Sequence, residues 1–274
     1  MKAIHKIAIL TLISLPISVY LFISAPPELP DQKQVVGAEI PVDSLFQMLA
    51  HEQNVARTLY TKRIVGPGIK TGLHFDENWT NDGVEAGPLP ALFLRETAKQ
   101  LRSLGSKTTL FLGSEFPIAS SNKFSGTQLE NFRTMKTTGD PAFFFDSDSG
   151  MHTAMFVDPA SSAACVSCHN EHPNSPKTDW KLSDAMGATT WIYPEETVDL
   201  VTALRELKML REATALAYTG YLEKASEFAS PPVDIGEKWP AEGAFLPSAP
   251  AFMSALDAEV GAASFDILLQ TIGD

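Results

Sequence analysis

The stretch Cys165-Val166-Ser167-Cys168-His169-Asn170-Glu171-His172-Pro173 decides how this chain is read. Its first five residues have the C-x-x-C-H form that attaches haem covalently. The two-residue spacer matches the distance between the porphyrin vinyl groups, to which the thiols add. The adjacent His169 then lies under the iron and supplies a nitrogen ligand. Cys165 and Cys168 are the only cysteines in the chain, so no other thiol competes for them. The expected cofactor is haem c, with His169 as the proximal ligand of its iron.

Other uses of the pair fit less well. A thioredoxin-like pair opens a helix within an αβ unit, whereas the run from Asn170 to Pro176, with Pro173 and Pro176 in it, cannot start a regular helix. A structural zinc site needs two further ligands. With no second cysteine pair, His51, His74, His152 or His172 would have to serve. A disulfide between Cys165 and Cys168 would be strained and would leave His169 unexplained.

The N-terminus speaks to location. Lys2 and Lys6 flank an uncharged run over residues 7–25, and the first acidic residue is Glu28. Such a run is long enough to span a bilayer as a helix, which takes about 20 residues. The positive-inside rule puts Met1 in the cytoplasm and the bulk of the chain outside. A cleaved signal peptide is the alternative, but Pro26 directly after Ala25 would block cleavage there. Residues 1–27 are therefore expected to be a membrane anchor, with the rest on the periplasmic side of a bacterial inner membrane. That is where haem c is attached.

The formal charge of -12 argues against nucleic acid and against docking on anionic lipid. It suits a basic electron-transfer partner. Residues 28–40 read as a polar linker. Helical patterns cover residues 43–65, with Asp43 as N-cap and Gly66-Pro67-Gly68 as the stop, and residues 90–104. Thr108 to Leu112 is a compact β-prone run, and residues 125–135 read as a short helix. Residues 142–145 and 151–157 read as a hairpin around Asp146-Ser147-Asp148-Ser149-Gly150, and residues 187–193 as a final strand. Met151, Thr153, Met155 and Val157 face one way, His152, Ala154 and Phe156 the other. Helices followed by an antiparallel sheet, with a cofactor loop near its end, make an α+β domain.

Three strings carry a resemblance: Arg57-Thr58-Leu59-Tyr60, Pro88-Leu89-Pro90-Ala91, and the long run from Cys165 to Lys177-Thr178-Asp179-Trp180. Over residues 41–194 the chain resembles a family of periplasmic c-type haem domains with a PAS-like fold. That family occurs alone or as the sensor region of histidine kinases, cyclases and chemoreceptors. The resemblance implies a PAS-like antiparallel sheet with flanking helices. Where family members often carry a Gly-Asp-Val-Arg-Gly-like turn, this chain has Ser183-Asp184-Ala185-Met186-Gly187.

Residues 195–274 read as a helical C-terminal extension. Leu200, Leu204, Leu207, Leu210 and Ala217 line one side of its long helix, which Arg205, Glu206, Lys208, Arg211 and Glu212 make too charged to span a membrane. That side packs on the haem domain or forms a surface for a homodimer or a partner.

The second axial ligand decides the chemistry of the iron. Both cysteines are consumed, so thiolate is excluded. His51 and His74 are the histidine candidates, and Met48, Met151, Met155 and Met186 the methionines; an open or water-bound site is the remaining option. His172, three residues from His169, orients the loop or contacts a propionate. Tyr60 and Arg57 are candidate pocket-lining donors, or ordinary helix-surface residues. No catalytic residues are expected. The sequence points to a haem-binding redox protein that either carries electrons or senses a gas or redox state, working with a redox partner or signalling protein.

Overall fold

The computed structural model describes residues 37–238 and 245–273. After the short strand β1 (Glu39–Pro41), Leu45, Leu49, Ala56 and Leu59 recur at intervals of four, seven and three residues. That spacing makes one buried stripe along helix α1 (Val42–Leu59). Pro41 takes the N-cap position, so Asp43 sits inside the first turn, where its charge suits the positive end of the helix.

Gly66-Pro67-Gly68 does not stop the chain's helical course. It continues through a π-helical turn (Tyr60–Val65) into α2 (Gly66–Lys70). Pro67 falls in the first turn of α2, the part of a helix where proline is best tolerated. The stop comes at Gly72, whose φ of +95° is open to glycine and strained for other residues.

Two short strands, β2 (Phe75–Asp76) and β3 (Gly87–Pro88), pair in parallel. Helix α3 (Pro90–Ser103) leads into β4 (Thr109–Gly113), and α4 (Gly126–Thr138) into the hairpin of β5 (Ala142–Asp146) and β6 (Met151–Pro159). Helix α5 (Ala163–Glu171) and strand β7 (Ala185–Tyr193) follow. The four-stranded sheet has the order β4-β7-β6-β5, antiparallel throughout. After β8 (Thr197–Asp199), which pairs with β1, comes the long helix α6 (Leu200–Ala225). The chain ends in β9 (Asp234–Gly236), β10 (Phe245–Pro247), α7 (Ala249–Val260) and α8 (Ala263–Gly273).

Two-residue alternation gives the sheet two apolar faces. Leu110, Ala154, Trp191 and Tyr193 pack with α1, α3 and α6. Phe111, Met155, Val157 and Ala188 pack with Phe132 and Met135 of α4. A fully buried side chain of this size contributes about 1.5–3 kcal/mol, so covering both faces is the main stabilising term. Tyr60, Phe93, Tyr218, Tyr221 and Phe252 build a separate aromatic core, in which Tyr60 stacks on Phe93 at 4.2 Å and Tyr218 on Phe252 at 4.3 Å.

Polar contacts tie α6 to the rest. Asp199 caps it, its Oδ1 accepting from the Thr202 N–H at 3.0 Å. Arg211 donates to both carboxylate oxygens of Glu52 on α1, at 2.8 and 3.0 Å. Residues 200–213, read from sequence as part of a C-terminal extension, thus share one core with α1, α3 and the sheet.

The expected architecture needs correction in two respects. The fold is α+β, but a PAS-like sheet is not shown. The sheet has four strands, and the strand that opens the described chain, β1, is held by β8 outside it. Among the described residues no helix is long and apolar enough to cross a membrane. The anchor expected at residues 1–27 lies outside the described residues, and the transmembrane helix is withdrawn from the architecture.

Candidate functional site

Strand β6 delivers the chain to the motif. At its end Ala160 is pinned by two backbone bonds: its N–H donates to the Asp184 carbonyl at 2.8 Å, and its carbonyl accepts from the Ser183 N–H at 3.0 Å. Ser162 then caps a helix, its Oγ accepting from the Cys165 N–H at 3.4 Å. The motif therefore lies on helix α5, where sequence suggested a loop. His172 is extended, as the residue before a proline prefers, and the helix ends there.

On a helix, positions i, i+3 and i+4 share a face. Cys165, Cys168 and His169 are so placed. Both thiols are free. Cys165, like Phe116, packs against the cluster of Ala160, Trp180 and Met186, with Ser162 Oγ 3.2 Å from its sulfur. Cys168 is exposed, but partial desolvation pushes its thiol pKa up, helped by Glu77, Cys165, Glu171 and Asp76.

His169 meets Trp180 edge to face, with ring centroids 6.4 Å apart. Its Nδ1 is buried without a hydrogen-bond partner. Burial lowers its pKa, and His172 adds to this while Asp158 opposes it. The imidazole is thereby biased toward the neutral form, the state that binds a metal. Two free thiols one helical turn apart, beside an imidazole with an unpaired Nδ1, are the donor set that covalent haem requires. Among the described residues, no group of three or more His, Cys, Asp or Glu side chains could hold a bare metal ion.

The segment after the motif folds back on it. Asn170 brackets the Trp180 backbone, its Oδ1 accepting from the Trp180 N–H at 2.8 Å and its Nδ2 donating to the Trp180 carbonyl at 3.0 Å. Trp180 is 6% exposed, and its Nε1 is buried and unpaired. The same indole lines a cleft of about 470 Å³ with Phe116, Phe132, Val157 and Lys177.

The remaining candidates divide. His172 is committed: its Nε2 is 3.2 Å from Glu77, and its Nδ1 accepts from the Asn174 N–H at 3.1 Å. Arg57 pairs with Asp158 on β6. Tyr60 is fully buried in the aromatic core, its hydroxyl donating to the Pro88 carbonyl at 2.7 Å. His51 reaches the Val260 carbonyl of α7, with Nε2 at 3.4 Å. His74 is exposed and directly precedes β2; Asp76 and Glu77, just after it, are the carboxylates that act on Cys168.

Sequence reading missed four residues that build the site. Ser162, three residues before Cys165, was a readable helix cap. Asn170, Glu77 and Asp158 act across ten or more residues and left no local signal. No family model, no curated protein and no solved structure matches this chain.

Proposed function

We propose that the chain is a mono-haem c-type redox protein on the outer side of a bacterial membrane. Cys165 and Cys168 form the thioethers, and His169 is the proximal iron ligand. The observation that carries this reading is one helix face presenting two free thiols and an imidazole whose buried Nδ1 has no hydrogen-bond partner. In attachment each S–H adds across a vinyl C=C, sulfur to one carbon and hydrogen to the other, with no net oxidation. Bound haem supplies one-electron chemistry. The chain's own part is to bury the His169 ring edge, wall it with Trp180 and fix the helix through Asn170.

Electron transfer is favoured by the open side of α5. Ala164, Ser167 and Cys168 are exposed, so a partner can approach the cofactor's edge. Asp76, Glu77 and Glu171 lie around Cys168 and suit a basic partner. The resemblance over residues 41–194 to sensor-associated haem domains favours the second reading, a gas- or redox-sensing module that signals through a separate protein.

Two measurements test these readings. Haem that stays with the wild-type chain through denaturation, and is lost when Cys165 and Cys168 are replaced by Ser, supports attachment; retention in the Ser variant refutes it. An absorption spectrum of the reduced protein left unmoved by carbon monoxide supports a carrier with two strong ligands and excludes the gas sensor. Ready carbon monoxide binding counts against a pure carrier.

A further inference from the structure

The cleft of about 470 Å³ is lined by the end of α4 and by the segment that returns from the motif to β7. Small-molecule sites are typically roughly 300–1,000 Å³, apolar for the most part, with a few placed polar groups. The walls here follow that plan. Phe132 and Met135 come from α4, Val157 from β6 and Trp180 from the returning segment. Lys136, on α4, and Lys177, on the returning segment, add two cations. Each ammonium is held in place: Lys136 Nζ lies over the Phe132 ring, 5.3 Å from its centroid, and Lys177 Nζ over the Trp180 ring at 4.6 Å. The two side chains are 34% and 25% exposed, so solvent screens them only in part. Lys136 donates to Glu115, which Arg133 also serves, and Lys177 to Asp179, itself 82% exposed. An ammonium has donors to spare beyond one such bond. Among the described residues the lining carries one carboxylate, Asp184, whose Oδ2 accepts from the Lys181 N–H at 2.9 Å. The Trp180 indole adds an Nε1–H buried without a partner. An unpaired donor in a ring that lines a cleft points to an occupant bearing an acceptor.

We propose that this cleft binds a carboxylate carried on an apolar body, the acid held by Lys136 and Lys177 and the body lying among Phe132, Met135, Val157 and Trp180. A small aromatic or branched aliphatic acid has that chemistry. So does a propionate of haem attached at Cys165, which packs on the cluster that contains Trp180. The site itself needs no haem; only the second source rests on the haem reading above.

Calorimetric titration of the full chain with phenylacetate tests this, on the haem-loaded protein and on the haem-free variant with Cys165→Ser and Cys168→Ser. Saturable binding to both forms assigns the cleft to a free acid. Binding to the haem-free form alone assigns it to the propionate. Phenylacetamide, the same body without the charge, is expected to bind about tenfold more weakly. Lys136→Gln and Lys177→Gln are each expected to weaken phenylacetate by about tenfold, while Lys177→Arg, which keeps the charge, retains binding. No binding to either form overturns the proposal. So does equal binding of phenylacetate and phenylacetamide, or wild-type affinity in both Gln variants. If one Gln variant fails to fold, the other and the amide comparison decide the matter. A wild-type chain that gives up its haem on denaturation overturns the attachment reading and leaves the cleft to the free acid, so the two failures are distinguishable.

Discussion

The Asn170 side chain clasps the Trp180 backbone through two hydrogen bonds, at 2.8 and 3.0 Å, closing a ten-residue loop that begins inside the motif helix. The clasp presents the indole to His169, whose ring meets it edge to face. An asparagine is suited to this because one side chain supplies both an acceptor and a donor. Asn170→Ala would leave the Trp180 N–H and carbonyl unpaired in a half-buried setting, costing about 1–3 kcal/mol. Asn170→Asp keeps the acceptor and loses the donor, so a smaller loss is expected. Urea denaturation of the three proteins checks the order; equal stabilities would show that the clasp contributes nothing.

His169 and His172 are three residues apart and have separable roles. His172→Ala removes contacts to Glu77 and the Asn174 N–H. It is expected to cost about 1 kcal/mol and to leave the spectrum of the haem-loaded protein in place. His169→Ala is expected to leave the thioethers intact while changing the spin state and the Soret band. A spectrum that changes with His172 and not with His169 would reverse the assignment of the ligand.

What was legible in the sequence follows the range of each interaction. C-x-x-C-H stands out because its whole pattern lies within five consecutive residues. The alternation of Ala154 and Phe156 against Met155 and Val157 was readable because it is a property of one strand. The sheet's partners were not. β1 pairs with β8, about 158 residues on, and the apolar side of α6 gives no hint of which surface covers it. Pro173 and Pro176 suggested a loop, while Ser162 had already prepared a helix that ends before them. The π-helical turn at Tyr60–Val65 carries no breaker that a sequence pattern would register. Arg57 reads from sequence as a pocket-lining donor or an ordinary helix-surface residue, and its partner Asp158 emerges only when α1 lies against β6.

Glu206 shows how a buried carboxylate can be structural. It is 2% exposed on α6 and accepts from the hydroxyls of Ser106 and Thr108 and from the N–H groups of Lys107 and Thr108. These bonds hold the turn between α3 and β4 against the long helix. Glu206→Ala strands several donors at once and is expected to destabilise by about 2–4 kcal/mol. Glu206→Gln, which keeps an acceptor oxygen, is expected to lose less. Thermal melts of both variants check this, and an alanine variant as stable as wild type would remove Glu206 from the framework.

Acid stability is linked to Glu115, between β4 and α4. Burial by itself raises its pKa, but hydrogen bonds from Lys136 and Arg133 outweigh burial and hold the carboxyl below its ordinary value of 4.5. The folded chain therefore takes up this proton less readily than the unfolded chain. The resulting stability is present in full above the unfolded value and is lost as pH falls through the lower folded one. Arg133 is 59% exposed, so screening limits the gain to roughly 0.5–1 kcal/mol. Glu115→Gln is expected to be less stable than wild type near neutral pH, and to approach it as pH falls below 4.5. Urea midpoints measured between neutral pH and about pH 3 decide this. Parallel curves for the two proteins would mean that the ion pair stores no stability in the fold.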